Sequence, residues 1–328
     1  MTSPLLRVAD LRTVFPLGNG RDAAAVDGVS FEIARGETLG LVGESGSGKS
    51  VTALSIIKLV MPPGRITGGR VELEGRNLLE LSEREMRRVR GRRIGFVFQE
   101  PMVALNPVYT IGYQIRETLA VHDLARGAAA RARAAELLDA VRVPDPQRRL
   151  REYPHQLSGG LRQRAMIALA LAAEPSLLIA DEPTTALDVT VQAEILDLLR
   201  DMRRTFNLSM LLITHDLGVI AEMADRVAVM YAGRIVEQAP VAALFHAPAH
   251  PYTRGLLECI PGQHPGRRPA VIPGTVPALG ALPRGCAFAP RCPNRFEPCD
   301  DLPPGVSQMP DPEHSVRCYL HQAAAVMK

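Results

Sequence analysis

The 328-residue chain has no tryptophan, and aromatic residues make up only 4% of it. A surface that stacks successive bases needs aromatic platforms, so this composition argues against general single-strand nucleic-acid binding. Lysine is nearly missing too, at Lys49, Lys58 and Lys328 alone. With 38 basic and 35 acidic residues the net charge is +3, too near balance to mark a partner of polyanions. No apolar run approaches the ~18 residues of a membrane span. The longest candidate, Ala165 to Ala173, is cut by Glu174 and Pro175. The opening residues lack the basic stretch and apolar core of a signal peptide. We therefore expect a soluble, cytoplasmic chain that meets a membrane only through a partner.

Proline is absent between Pro183 and Pro240, whereas 15 of the 27 prolines, with the cysteines, fall in residues 246–328. That shift predicts a regular α/β domain over 1–245 and a small irregular one over 246–328. In the first, apolar runs near 5–11 and 28–33 read as strands. Residues 37–42 read as a strand entering a Gly-rich turn, followed by a helix over 49–60. Strands are expected at 94–99, 177–180, 208–213 and 226–231, and helices within 111–143 and at 158–173 and 191–206. Ala232-Gly233 turns the chain back into 234–237 as a hairpin. Strands alternating with helices imply a largely parallel sheet. The arginines of 84–93 (Arg84, Arg87, Arg88, Arg90, Arg92 and Arg93) read as a solvated face or loop.

The segment Gly43-Glu44-Ser45-Gly46-Ser47-Gly48-Lys49-Ser50 fits G-x-x-x-x-G-K-[ST], between an expected strand and an expected helix. Glycines allow backbone N–H groups to turn inward on phosphates, and the helix N-terminus adds positive potential. Lys49 would reach the β- and γ-phosphates, and the Ser50 hydroxyl would ligate Mg²⁺. Leu177-Leu178-Ile179-Ala180-Asp181-Glu182 is an apolar strand ending in two carboxylates. Carboxyl ends of parallel strands face the ligand crevice. Asp181 would hold Mg²⁺, directly or through water, and Glu182 would act as general base on the attacking water.

These two segments stand in one order with Phe98-Gln99-Glu100-Pro101, Leu157-Ser158-Gly159-Gly160-Leu161-Arg162-Gln163-Arg164, Ala186-Leu187-Asp188 and Thr214-His215-Asp216. The series resembles that of ABC-type ATPases over residues 5–245. The Ser-Gly-Gly element upstream of Asp181 separates that family from other P-loop ATPases. The resemblance implies a RecA-like parallel-sheet core, an antiparallel β subdomain and an inserted helical subdomain at about 101–175. It implies ATP bound by Phe15, stacking on adenine, and by the loop through Val51. Gln99 would touch Mg²⁺ and water and report on a transmembrane partner. Ser158, Gly159, Gly160 and Gln163 would meet the nucleotide of an opposite subunit. Asp188 would communicate across the dimer, and His215 would sense the γ-phosphate. Two departures, Leu161 in the signature and Thr185 where Ser is common, remove no catalytic group.

Cys286, Cys292, Cys299 and Cys318 lie in the Pro-rich tail, which is too short to fold without a staple or docking. Clustered cytosolic cysteines suggest metal. Tetrahedral zinc, an iron–sulfur cluster and unligated thiols all remain open, although zinc prefers tighter Cys spacings. Cys259 lies outside the pattern and reads as a buried thiol. His250-Pro251-Tyr252-Thr253-Arg254-Gly255-Leu256-Leu257 and the Cys-Ala-Phe-Ala-Pro-Arg-Cys-Pro segment resemble the C-terminal extension of dipeptide/oligopeptide importer ATPases. That resemblance implies a [4Fe–4S] cluster on the four cysteines, with zinc as the alternative. It also implies a second ATPase subunit, identical or homologous, and two integral-membrane permease subunits whose cytoplasmic loops are gripped beside Gln99 and the helices of 109–156. A solute-binding protein would act indirectly, and the chain would sit peripherally on the cytoplasmic face of the inner membrane. The same subfamily includes nickel and glutathione importers. A soluble ABC ATPase acting on nucleic acid or ribosomes is the other class considered, and it fits poorly with a single cassette.

Overall fold

The computed structural model describes residues 3–18, 20–260 and 271–322. Two long strands lead, β1 (Leu6–Pro16) and β2 (Asp22–Ile33). Then come β3 (Thr38–Val42), buried throughout, and α1 (Lys49–Ile56), which stops short of the expected Val60. β4 (Arg65–Leu73) and β5 (Arg76–Asn77) follow. The arginine-rich stretch opens as α2 (Glu83–Val89), started by a capping box between Ser82 and Glu85. β6 (Ile94–Val97), α3 (Pro101–Ala104), α4 (Ile111–Val121), α5 (Gly127–Ala140), α6 (Pro146–Arg149) and α7 (Gly159–Leu171) come next. β7 (Leu177–Asp181), α8 (Val189–Phe206), β8 (Ser209–Thr214), α9 (Leu217–Met223), β9 (Arg226–Tyr231) and β10 (Arg234–Pro240) close the regular part. The tail adds α10 (Val241–His246), α11 (Pro251–Glu258), α12 (Pro298–Asp301), β11 (Ser307–Gln308) and β12 (Ser315–Val316).

These elements form two compact units. One holds residues 33–37 and 80–213 with the chain's first residues. Its strands β6, β7 and β8 pair in parallel, as the strand–helix alternation requires. Every residue of β7 and β8 is buried, the mark of a sheet covered on both faces. The helices of the expected 101–175 insertion lie within this unit.

The other unit holds residues 6–32, 38–79 and the chain from Thr214 onward. β1, β2, β4 and β5 form the expected antiparallel sheet, with β1 flanked by β2 and β4. β3 pairs in parallel with β9, and β9 and β10 form the expected hairpin. The described residues of the tail fall in this same unit. β12 pairs antiparallel with β10, aligning Val316 with Glu237 and Ser315 with Gln238, and β11 pairs with β12. A segment too small for a full core has borrowed a sheet edge.

One buried carboxylate anchors that tail. Glu237 accepts the N–H groups of Ala249 at 2.7 Å and His250 at 2.8 Å, and lies 2.8 Å from His314 Nε2. Both side chains are almost fully enclosed, at 0% exposure for Glu237 and 6% for His314. Ala249, Val316 and Cys318 pack together beside them, with Met309 at the edge. Among the described residues no helix is long and apolar enough to cross a membrane.

Candidate active site

The loop after β3 has the geometry of an anion site. Gly43 has φ +156°, and a Cβ there would sit 2.9 Å from Ser47 Oγ and run into the Met230 carbonyl. Gly48, at φ +105°, precedes α1 with no side-chain cap. A helix start without a side-chain cap is suited to an external acceptor. Lys49 is buried at 5% exposure, its ammonium donating to the Gly43 carbonyl at 2.7 Å and the Glu44 carbonyl at 3.1 Å. The Ser47 hydroxyl is buried with no hydrogen-bond partner among the described residues. Ser45 and Gly46 are exposed, and Ser50 and Val51 are half-buried on α1. A buried cation, an orphan hydroxyl and an uncapped helix start suit phosphate oxygens, and the Ser50 hydroxyl is a suitable Mg²⁺ ligand.

Phe15 is half-buried near the end of β1, and its ring lies against Gly64, where a Cβ would meet Phe15 Cε1 at 2.5 Å. His215 is exposed on the turn after β8. That turn is held by Thr214 Oγ1, which accepts the Asp216 N–H at 3.0 Å. The Asp216 carboxylate caps α9 through the Gly218 N–H at 2.7 Å.

In the other unit, Asp181 is buried at the carboxyl end of β7. Glu182 follows in a left-handed conformation, φ +46°, and donates its N–H to the Ile213 carbonyl at 2.9 Å. A non-glycine residue there is a strained one, held by its surroundings. Glu182 Oε2 accepts two hydrogen bonds, from Thr185 Oγ1 at 2.8 Å and from Gln99 Nε2 at 3.1 Å. Gln99 and Glu182 are thus brought together. Thr185, noted in the sequence only as a departure, is a third member of the group. Its signal was its place three residues after Glu182.

Ser158 is the N-cap of α7, its hydroxyl accepting the Leu161 N–H at a long 3.4 Å. Ser158 and Gly159 are exposed. Gly160 lies close to α8, where a Cβ would be 2.9 Å from Val191 Cγ1. Gln163 does not share that exposure. At 2% exposure it points inward and donates to the Pro183 carbonyl at 2.6 Å. One turn into α7 the helix has rotated that position onto its buried face. Asp188 is exposed and caps α8 through the Val191 N–H at 3.0 Å.

The cysteines of the tail are neighbours. Burial raises the thiol pKa of Cys286 and Cys292 and pushes Cys318 up to about 11, with the other three sulfurs raising it further. All five cysteines are free thiols, and Cys259 is half-buried rather than buried. Among the described residues, however, no group of three or more His, Cys, Asp or Glu side chains is arranged to hold a metal ion. The four thiols share one environment without forming a ligand cage.

The fold and the loop define a nucleotide-binding ATPase, and comparison with known proteins agrees. The ABC transporter family model matches residues 26–185. The model of the oligopeptide/dipeptide transporter C-terminal region matches residues 236–299. The chain belongs to the ATP-binding proteins of ABC transporters. A probable peptide ABC transporter ATP-binding protein of Sinorhizobium fredii is 52% identical over 318 residues, covering 96% of this chain and 94% of that protein. The oligopeptide transport ATP-binding protein AppD of Bacillus subtilis is 50% identical over 324 residues, covering 98% of each. Among solved structures, a dimeric bacterial ABC transporter cassette superposes with a TM-score of 0.64 at 30% identity, over 72% of this chain and 98% of that one. A component of the cbiONQ transporter complex from Clostridium perfringens gives 0.63 at 26% identity, over 75% and 92%.

Proposed function

We propose that this chain binds and hydrolyses ATP to drive import of dipeptides or oligopeptides. The observation that carries the peptide assignment is the tail match over 236–299, joined to full-length relatives named for peptide import. Lys49 and the loop N–H groups would hold the phosphates, with Ser50, Gln99 and Asp181 toward Mg²⁺. Mg²⁺, when bound, would neutralise phosphate charge. Glu182 would take the proton of the attacking water, oriented by Gln99 and Thr185, while His215 senses the γ-phosphate. Ser158 and Gly159 are exposed, as groups meeting the nucleotide of a second ATPase chain must be. The test is uptake of a labelled oligopeptide by cells lacking this chain. Wild type should restore uptake and Glu182→Gln should not. Peptide uptake that persists while nickel or glutathione uptake fails would overturn the solute assignment.

Docking to two permease subunits at the cytoplasmic face of the membrane is supported by exposed apolar residues just beyond Gln99. Met102, Val103, Val108, Tyr109 and Tyr113 all face solvent, and the two tyrosine rings stack with centroids 4.5 Å apart. Such a patch marks an interaction site.

We also propose that Cys286, Cys292, Cys299 and Cys318 are the ligands of an iron–sulfur cluster. Their closeness supports this reading: the Cys286 N–H donates to the Cys299 carbonyl at 2.8 Å, and Cys292 follows the short turn Ala289–Arg291. The cluster would require them to deprotonate and draw together. Iron and acid-labile sulfide near four each per chain, in anaerobically purified protein, would support it. Zinc near one per chain, or no metal, would overturn it.

A further inference from the structure

Glu44, second residue of the phosphate loop, is tied down through its N–H, its carbonyl and its carboxylate. Its carbonyl accepts from Lys49 within the loop. The other two are held by the tail. The Glu44 N–H donates to Tyr252 Oη at 2.9 Å. The Glu44 carboxylate accepts two hydrogen bonds from Arg291, at 2.6 Å from Nη1 and 2.9 Å from Nη2. This is the two-pronged arrangement that a guanidinium makes and an ammonium cannot.

The tail side of the contact is built, not incidental. The Arg291 side chain is only 4% exposed. Its Nε donates to the Pro273 carbonyl at 2.8 Å, and Nη1 reaches Tyr231 Oη at 3.4 Å. The guanidinium carbon lies 5.8 Å from the Tyr231 ring centre and 6.0 Å from that of Phe288. Tyr252 is fully buried, its ring 4.7 Å from Tyr231 and 5.3 Å from Phe288. Burial keeps its hydroxyl in the neutral form. Arg291 ends the short turn Ala289–Arg291, between Cys286 and Cys292. Four aromatic and cationic side chains thus fix a fork and a hydroxyl on one residue of the loop.

We propose that Arg291 and Tyr252 are positioning residues for ATP binding, acting through Glu44. The tail braces the first peptide of the phosphate loop and so sets the loop's affinity for nucleotide. A loop that must adopt one shape to present its N–H groups binds more weakly when that shape is one of several, because the bound conformer is only a fraction of the free population. The Arg291 guanidinium also offsets the charge of the Glu44 carboxylate, which would otherwise disfavour an anion in the loop. The inference rests on the loop being the nucleotide site, and Lys49→Ala tests that separately.

The experiment uses the full-length chain and Mg-ATP. Affinity is measured by calorimetry, and KM and kcat by steady-state hydrolysis, for Arg291→Lys, Glu44→Gln, Tyr252→Phe and the double variant Arg291→Lys/Glu44→Gln. Glu44→Gln and Tyr252→Phe keep the side chain's size and shape, and Arg291→Lys keeps the charge while removing the fork. We expect each single variant to weaken ATP binding about tenfold, within the range of ordinary coupling between sites. The loss should appear in KM with kcat changed little. The double variant should be no weaker than the worse single one, because both remove the same contact. Unchanged affinity in Arg291→Lys and Tyr252→Phe, or additive losses in the double variant, would overturn the proposal. A uniform fall in kcat at constant KM would do so as well. If Lys49→Ala binds ATP like wild type, it is the nucleotide site that fails, whatever the brace does.

Discussion

Gln99 Nε2 and Thr185 Oγ1 converge on one oxygen of Glu182, Oε2, and leave its other oxygen, Oε1, outside that pair of contacts. Two donors on one oxygen fix the orientation of the carboxylate, which the proposed role as general base requires. Glu182→Gln should keep ATP binding and lose steady-state turnover by about 10²–10⁴-fold. Unchanged turnover would remove Glu182 as the base. Thr185→Val removes one donor while keeping the shape. It should lower kcat about tenfold with ATP affinity intact, as expected for one hydrogen bond to a charged group.

Lys49 is buried among loop carbonyls, so its charge is already desolvated and directed into the loop. Lys49→Ala should weaken Mg-ATP binding by at least about tenfold, the worth of a charge-assisted hydrogen bond. Wild-type affinity by calorimetry would contradict its phosphate role.

Much of this site was legible because its parts are local. β3 and its glycines, the apolar β7 ending in Asp181 and Glu182, and the serine starting α7 are each contained in a few residues. The antiparallel partner β4 was not seen, because Gly68-Gly69 looks like a break. Pairing with β1 overrides that signal, and Gly69 at φ +95° sits where a Cβ would be 2.5 Å from Leu11 Cα. The start of α2 was readable in Ser82 and Glu85 but was masked by its run of arginines. Glu44 and Arg291 are 247 residues apart, and no periodicity or motif links them. Gln163 shows the reverse problem: a residue inside a recognisable motif turned inward by helix geometry.

Glu237 gathers two backbone N–H groups and His314 in a buried setting. Removing a buried partner of this kind leaves polar groups stranded. Glu237→Ala should cost about 3–5 kcal/mol, read from urea unfolding of the full-length chain. Glu237→Gln keeps an acceptor oxygen and should cost less. Equal stability of Glu237→Ala and wild type would remove this carboxylate as the anchor of the tail.

Burial lowers the pKa of His250 to about 3, so the folded protein holds it neutral. Its Nδ1 accepts the Tyr252 N–H at 3.0 Å and caps α11. The unfolded chain takes up a proton below its ordinary value near 6.5. The contribution is therefore complete above that value and is lost progressively as pH falls toward 3. At pH 5 about 2 kcal/mol of stability should be gone. His250→Asn keeps a capping oxygen and does not titrate, so its unfolding free energy should fall less between pH 7 and pH 5. Identical pH profiles for the two proteins would refute this assignment.

The pairing of β12 with β10 has a bearing on solubility. With β12 in place, β10 is hydrogen-bonded on both sides. Without it, one side of β10 would become an open row of N–H and C=O groups, the kind of rim that recruits strands from other molecules. The last stretch of the chain therefore works as a guard rail against self-association. A protein cut after α12, which keeps Tyr252 and Arg291 but loses β11 and β12, should show its damage first as oligomers and precipitate, before any loss of nucleotide chemistry.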